Sequence, residues 1–192
     1  MNDLYHDGNR ELQDQFDSRR LADRVNELIV HDVITDGDRD FIEARDMFFI
    51  STVDELGRPT VSYKGGDTGF IRVVDKNTIA FPGYDGNGMF LTAGNIALNN
   101  HVGLLFIDFE NPRRIRLHGT ATVNTNDPLL SEYIEAQYIV RVTVRNLFVN
   151  CPRYIHRYTK MEKSEYVPKE GGPAPIPEWK TSEAIQDVLP NK

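Results

Sequence analysis

Phe81-Pro82-Gly83-Tyr84-Asp85-Gly86-Asn87-Gly88-Met89-Phe90 ends a short apolar strand, makes a glycine-rich turn and begins an amphipathic segment. Glycine lets a backbone come close to a ligand, and the start of a helix attracts anions. Downstream, Val102-Gly103-Leu104-Leu105-Phe106-Ile107-Asp108-Phe109 is apolar on both faces, the pattern of a strand buried on both sides. Next, Ile115, Leu117 and Gly119 alternate with Arg114, Arg116 and His118, which puts the basic side chains on one strand face. A candidate anion turn followed by a strand bearing arginines points to a phosphorylated cofactor. The turn is neither a Walker loop nor a dinucleotide fingerprint. The strands arrive as hairpins, not as β-α-β units, which argues against a Rossmann fold. On its own, the turn also reads as an ordinary strand-to-helix loop.

The rest of the chain fits an all-antiparallel scheme. Met47–Val53 is β-branched and aromatic, and Asp54-Glu55-Leu56-Gly57 turns it into Thr60–Lys64. Gly65-Gly66-Asp67 breaks that strand. Phe70–Val74 resumes it, and Asp75-Lys76-Asn77 turns into Thr78–Phe81. Met89–Leu98 reads as a short helix. Asp127-Pro128 is expected to start a helix running to about Gln137, before a strand over Ile139–Val149. This pattern of roughly six strands and few helices predicts a mainly β protein, a closed antiparallel barrel with helical additions. Ahead of it, Leu21, Val25, Leu28 and Ile29 predict one helix over residues 10–31. Thr35 and Asp38 form a capping-box pair that starts a second helix and carries Phe41 and Ile42 inward.

Three parts are expected: a helical extension over residues 1–45, the barrel over 46–158, and a C-terminal arm over 159–192. Gly171-Gly172-Pro173-Ala174-Pro175-Ile176-Pro177 cannot hold regular structure. Trp179 on the arm is expected to dock on a subunit surface.

Composition narrows the function. The 192 residues can bury a sizeable core, and a net charge of −7 argues against a nucleic-acid protein. The single cysteine, Cys151, excludes an internal disulfide framework and is expected to be a buried, inert thiol. The five histidines lack metal-ligand spacing, so no metal site is expected. The polar start Met1-Asn2-Asp3-Leu4-Tyr5-His6-Asp7 is unlike a signal peptide, and no apolar run approaches a membrane span. The expectation is a soluble, cytoplasmic protein that does not act on membranes.

Ser62 and Lys64 share one face of their strand, where a hydroxyl and an ammonium can meet a phosphate. A solvated strand face is the plainer alternative. Taken with Phe49-Ile50-Ser51-Thr52-Val53, Gly57-Arg58-Pro59, Gly94-Asn95-Ile96 and Asn150-Cys151-Pro152-Arg153-Tyr154-Ile155, these residues resemble the split-barrel flavoproteins related to pyridoxamine 5′-phosphate oxidase. The resemblance covers about residues 40–157. It implies a six-stranded antiparallel split β-barrel with peripheral helices, a homodimer, and FMN bound at the subunit interface beside a small-molecule redox substrate. By position, Lys64 and the turn and helix start Asn87, Met89, Phe90, Leu91 and Thr92 would hold the phosphate and ribityl chain. Ser62, Tyr63, Phe81 and Pro82 would flank the flavin, with Asn95 nearby. Arg114, Arg116 and the partner's Arg153 would complete the cofactor site.

Two departures separate this chain from the oxidase itself. Leu91-Thr92 stands where the oxidase carries a basic pair, and Cys151-Pro152-Arg153 is not its substrate motif. The resemblance therefore implies an FMN-dependent oxidoreductase other than a pyridoxamine phosphate oxidase. Open alternatives are an FMN binder without turnover, a split barrel using haem (with His118 or His156 as axial ligand) or deazaflavin, and a structural dimer module.

Overall fold

The structure is a computed structural model that describes residues 4–190. Met1, Asn2 and Asp3, the start of the polar leader stretch, lie outside the described residues, as do Asn191 and Lys192 at the end of the arm.

Two helices, α1 (Asp7–Gln15) and α2 (Arg19–Ile29), open the chain where one was expected. Asp17 takes a positive φ of 48° between them, and that left-handed residue ends the first helix. The next helix, α3 (Asp36–Glu43), starts as its sequence predicts. Thr35 Oγ1 accepts from the Asp38 N–H, the Asp38 carboxylate accepts from the Thr35 N–H, and Phe41 and Ile42 are buried. His31 Nε2 also lies 2.9 Å from that carboxylate. Burial pushes the Asp38 carboxyl up, but the hydrogen bonds from Thr35 and His31 outweigh it and hold the group below its ordinary value.

Seven strands follow: β1 (Met47–Val53), β2 (Pro59–Gly65), β3 (Arg72–Asp75), β4 (Thr78–Tyr84), β5 (His101–Asp108), β6 (Arg113–Asn124) and β7 (Ala136–Asn150). The helix α4 (Leu91–Leu98) lies between β4 and β5. All the strand pairs are antiparallel, in the order β2-β1-β5-β6-β7-β4-β3. The end strands β2 and β3 do not pair with each other among the described residues, so the barrel is split rather than closed. The structure has seven strands against the roughly six expected, and the hairpin of β3 with β4 forms where Phe70–Val74 and Thr78–Phe81 were expected.

The segment after Asp127-Pro128 forms only a 3-10 turn, Pro128–Glu132, in place of the expected helix. Glu135, at a φ of 58°, reverses the chain into β7, which pairs with both β4 and β6. Strand pairing on two sides outcompetes a short local helix.

A single apolar core runs through the barrel. At its centre Phe48 packs on Phe81, Phe106 and Phe70, with ring centroids 4.9, 5.3 and 5.9 Å away. Along β5 only Val102, Leu104 and Phe106 are fully buried. Leu105 and Ile107 on its other face are half-buried, so this strand is not buried on both sides. β6 and β7 cross at a bulge opposite His118 and Gly119. A β-carbon on Gly119 would sit 2.4 Å from the Thr143 carbonyl oxygen, so the close approach of the strands requires glycine there. No helix among the described residues is long and apolar enough to cross a membrane.

Candidate functional site

The turn singled out in the sequence lines a cleft shared with β2, β7 and the C-terminal arm. Asn87 Oδ1 accepts from the Met89 N–H at 3.1 Å, which folds the turn on itself. Gly88 at φ +75° and Phe90 at φ +47° then swing the chain into α4. No side chain caps the N-terminus of α4, and its first residues, Leu91 and Thr92, form part of the cleft wall. Uncapped N–H groups with the helix dipole behind them make a ready anion cradle. Thr92, itself buried, donates to Ser62 Oγ at 3.1 Å and ties the helix to β2. On the side away from the cleft, Asn95 donates to the buried Thr52 hydroxyl at 3.0 Å and Ile96 enters the core.

The cleft measures about 830 Å³. Its floor carries Ser62 and Lys64 from β2, its near wall Tyr84–Thr92, and its side Gln137 and Tyr138 from β7. Trp179, Lys180, Ile185, Val188, Leu189 and Pro190 from the C-terminal arm also line it. Most of the surface is apolar, and Met89, Phe90 and Leu91 remain about half-exposed or more within the chain.

Of the charged cleft residues, Lys180 and Asp85 pair with each other and Lys64 stands apart. Burial holds its ammonium below the ordinary lysine range, and it makes no ion pair among the described residues. A partly desolvated cation beside an uncapped helix start is an arrangement that an anion would stabilise. Two phenols stay protonated nearby. Burial, with smaller contributions from Tyr133 and Asp67, pushes Tyr84 up to about 12, and burial also raises Tyr138. Both can therefore donate hydrogen bonds to a ligand at neutral pH.

Of the expected residues, the cleft brings together Ser62, Lys64, Asn87, Met89, Phe90, Leu91 and Thr92. Tyr63 points to the opposite face of β2, as strand alternation requires, and lines a smaller pocket with Lys160 and Tyr166. Phe81 does not reach the cleft, because its ring is 1% exposed and lies in the aromatic core. Pro82 is buried between β3 and β7 and is not part of the lining. Arg114, Arg116 and His118 share the outward face of β6, away from this cleft. Burial first, then the charge of Arg116, holds His118 below the ordinary histidine range. Arg153 lies over the Tyr154 ring at 5.9 Å, outside the cleft. Cys151 is exposed, contrary to expectation, and Arg153 holds its thiol below the usual range, chiefly through a backbone hydrogen bond.

The cleft residues that were not anticipated include Tyr84, Tyr138, Trp179 and Lys180. Tyr84 stands inside the quoted turn stretch. Tyr138 lay just past the expected helix end. The arm has no periodicity that would have aimed Trp179 at the site, and the chain holds no other tryptophan.

The loop gives a direct test. At φ +75° a β-branched side chain is strained, although a β-carbon on Gly88 would meet nothing within 4 Å. Gly88→Val is therefore expected to distort the turn, at a strain of about 1–2 kcal/mol. FMN titration should show affinity weakened on the order of 10-fold. Full retention of affinity would mean that the turn is an ordinary connection.

Residues 34–160 match the family described as pyridoxamine 5′-phosphate oxidase. No curated protein matches the sequence. Among solved structures, HupZ of Group A Streptococcus is 22% identical over 60% of this chain and 93% of its own, with a TM-score of 0.50. A candidate pyridoxamine 5′-phosphate oxidase from Lactobacillus delbrueckii is 20% identical over 62% of this chain and 95% of its own, also at 0.50. An FMN-binding protein from Syntrophomonas wolfei aligns over 73% of this chain and 97% of its own, at 9% identity and a TM-score of 0.47. The first two likenesses show a shared fold.

Proposed function

The chain belongs to the pyridoxamine 5′-phosphate oxidase family, and from that premise we propose that it is an FMN-dependent oxidoreductase that binds its cofactor in the cleft over β2 and α4. The observation that carries this reading is Lys64: a partly buried ammonium without an ion-pair partner, set beside the uncapped start of α4 in an apolar cleft of about 830 Å³. That combination suits a molecule with an anionic end and a planar apolar body.

Within this reading, Lys64, the Asn87–Met89 turn and the first turn of α4 hold the phosphate. Ser62 and Thr92 keep β2 and α4 at a fixed spacing through their hydrogen bond. Tyr84 and Tyr138 offer neutral donors along the wall, and Phe90 with Tyr138, ring centroids 6.4 Å apart, keeps water from the apolar part. Bound FMN supplies the two-electron redox chemistry, which is why the site needs no acid–base pair of its own. His118 and His156 do not line the cleft, which favours a flavin over haem there.

The reading includes a homodimer. Val61 and Tyr63 on the edge strand β2 are 68% and 61% exposed, and half-buried Phe49 and Leu105 continue the same outward face. A contiguous apolar sheet face of this kind suits a second copy. Sedimentation at the mass of two chains supports it, and a monomer at micromolar concentration rejects it.

The function is tested by loading the purified protein with FMN and adding a reduced nicotinamide cofactor under nitrogen. Bleaching of the bound flavin, reversed by oxygen or an oxidised substrate, is the expected result. Bound flavin that no nicotinamide or candidate substrate reduces would instead identify a non-catalytic FMN binder.

A further inference from the structure

The C-terminal arm does more than trail from the barrel. Tyr158 packs its ring on Phe109, with centroids 5.4 Å apart, and its N–H donates to the Phe109 carbonyl. Beyond it, Lys160 bridges Asp46 at 2.5 Å, Lys163 bridges Asp67, and the Ala174 N–H donates to Glu135 at 3.1 Å. The arm then makes two 3-10 turns, Glu178–Thr181 and Gln186–Val188, joined by a hydrogen bond from the Gln186 amide to the Lys180 carbonyl. At that point Lys180 bridges Asp85 of the glycine-rich turn. The Lys180 side chain is only 17% exposed, and its ammonium lies 5.4 Å from the centre of the Trp179 ring.

Several apolar groups of this segment keep much of their surface exposed. Trp179 is 47% exposed and Val188 71% exposed, yet both border the cleft. Met89 and Phe90, which line the same cleft, are 61% and 54% exposed. Apolar groups of the arm and of the turn therefore line one space of about 830 Å³, and each keeps about half or more of its surface exposed. A planar ring between them would remove apolar surface on both sides from water.

We propose that the segment Glu178–Pro190 is a strap that completes the ligand cleft from the chain's own C-terminus, with Trp179 as the ring contact for the planar part of the bound molecule and the Lys180–Asp85 pair as the latch that holds it. This rests on the cofactor reading above and adds a binding residue and a closing element to it. The ligand class that fits is a planar heteroaromatic ring with an anionic tail: the tail lies at Lys64 and the α4 start, and the ring lies against Trp179. Lys180 is spent on Asp85, so it sets the strap's position instead of competing for the tail. The Asp85 end of the pair is 63% exposed, so water competes for it and the latch can open for the ligand to enter.

Because the chain has a single tryptophan, its emission reports on this contact directly. The full-length protein, freed of ligand, is titrated with FMN while flavin fluorescence and tryptophan emission are recorded together. The expected result is loss of most Trp179 emission in step with flavin binding. Trp179→Ala is expected to raise the FMN Kd about 10-fold, the scale of aromatic stacking on a planar heterocycle, whereas Trp179→Phe keeps most of the affinity. Lys180→Ala is expected to speed FMN release several-fold with the folded circular-dichroism spectrum unchanged. Flavin binding with unchanged tryptophan emission, and the same Kd in Trp179→Ala, overturns the strap while leaving the cofactor site standing. Failure of any flavin to bind the unaltered protein overturns the cofactor reading and the strap with it.

Discussion

Lys64→Ala is expected to weaken FMN binding by about 10- to 100-fold, the equivalent of losing a charged hydrogen bond of roughly 1.5–3 kcal/mol. Lys64 is the one cleft cation without an ion-pair partner among the described residues, since Lys180 is held by Asp85. The same substitution is expected to leave the ligand-free protein as stable as before, or slightly more so, because burial already disfavours the charged form of Lys64. These two results together separate a ligand-holding lysine from a structural one, and titration calorimetry with thermal melts of the ligand-free protein reads both. A structural lysine would lower the melting temperature and leave the Kd alone. Since the folded-state pKa of Lys64 lies below its ordinary value, the ammonium is lost at a lower pH than for a free lysine. Anion binding at alkaline pH should therefore take up a proton, and affinity should fall as pH rises through that folded pKa.

The second large effect is on the barrel itself. Phe48→Ala is expected to destabilise the fold by about 4 kcal/mol, measured by denaturant unfolding. Phe48 is fully buried and touches three other rings from β4, β5 and the segment before β3. Its removal opens a cavity that the paired strands around it cannot close. Phe48→Leu, which keeps most of the volume, is expected to lose less than half as much. A loss under about 1 kcal/mol in the alanine variant would mean that the site collapses around the gap, contrary to the packing described.

The two effects start from neighbouring positions. Phe48 on β1 points into the core, and its register partner on β2 is Lys64, which lines the cleft. Directly opposite residues share one sheet face, so Lys64 stands beside the core rather than behind it. The strap, in turn, is held to the barrel through charged side chains, with its apolar groups left for the ligand. Phe48 is enclosed by core rings and Lys64 lines the cleft, which is why the alanine variants of Phe48 and Lys64 are expected to differ in which measurement they move.

Much of this was written locally. Met47–Val53 has the β-branched and aromatic content of a strand, and Thr35 with Asp38 is a cap whose two hydrogen bonds form between near neighbours. The anion turn was legible for the same reason, since Asn87, Gly88 and the start of α4 act over a few residues. Distant pairing was not. The chain after Asp127 looks helical in isolation, but β7 is fixed by β4 and β6, whose partners lie far away in sequence. Phe81 was placed at the cofactor by its neighbours in the chain, whereas its ring is claimed by Phe48. Periodicity over residues 10–31 gave no warning of the break at Asp17. Cys151 shows the limit of composition, because a lone cysteine is often buried but this one sits past the end of β7 in solvent. The strap could not be read at all, since an arm rich in glycine and proline does not encode where its one tryptophan lands.

The central claim is that this chain carries FMN. The most direct measurement is the absorption spectrum of the purified protein, followed by heat release and identification of whatever ligand it holds. The account predicts a flavin spectrum and released FMN at close to equimolar with the chain. A colourless protein that also fails to take up added FMN would contradict it, and the Lys64 cleft would then be a feature of the scaffold alone.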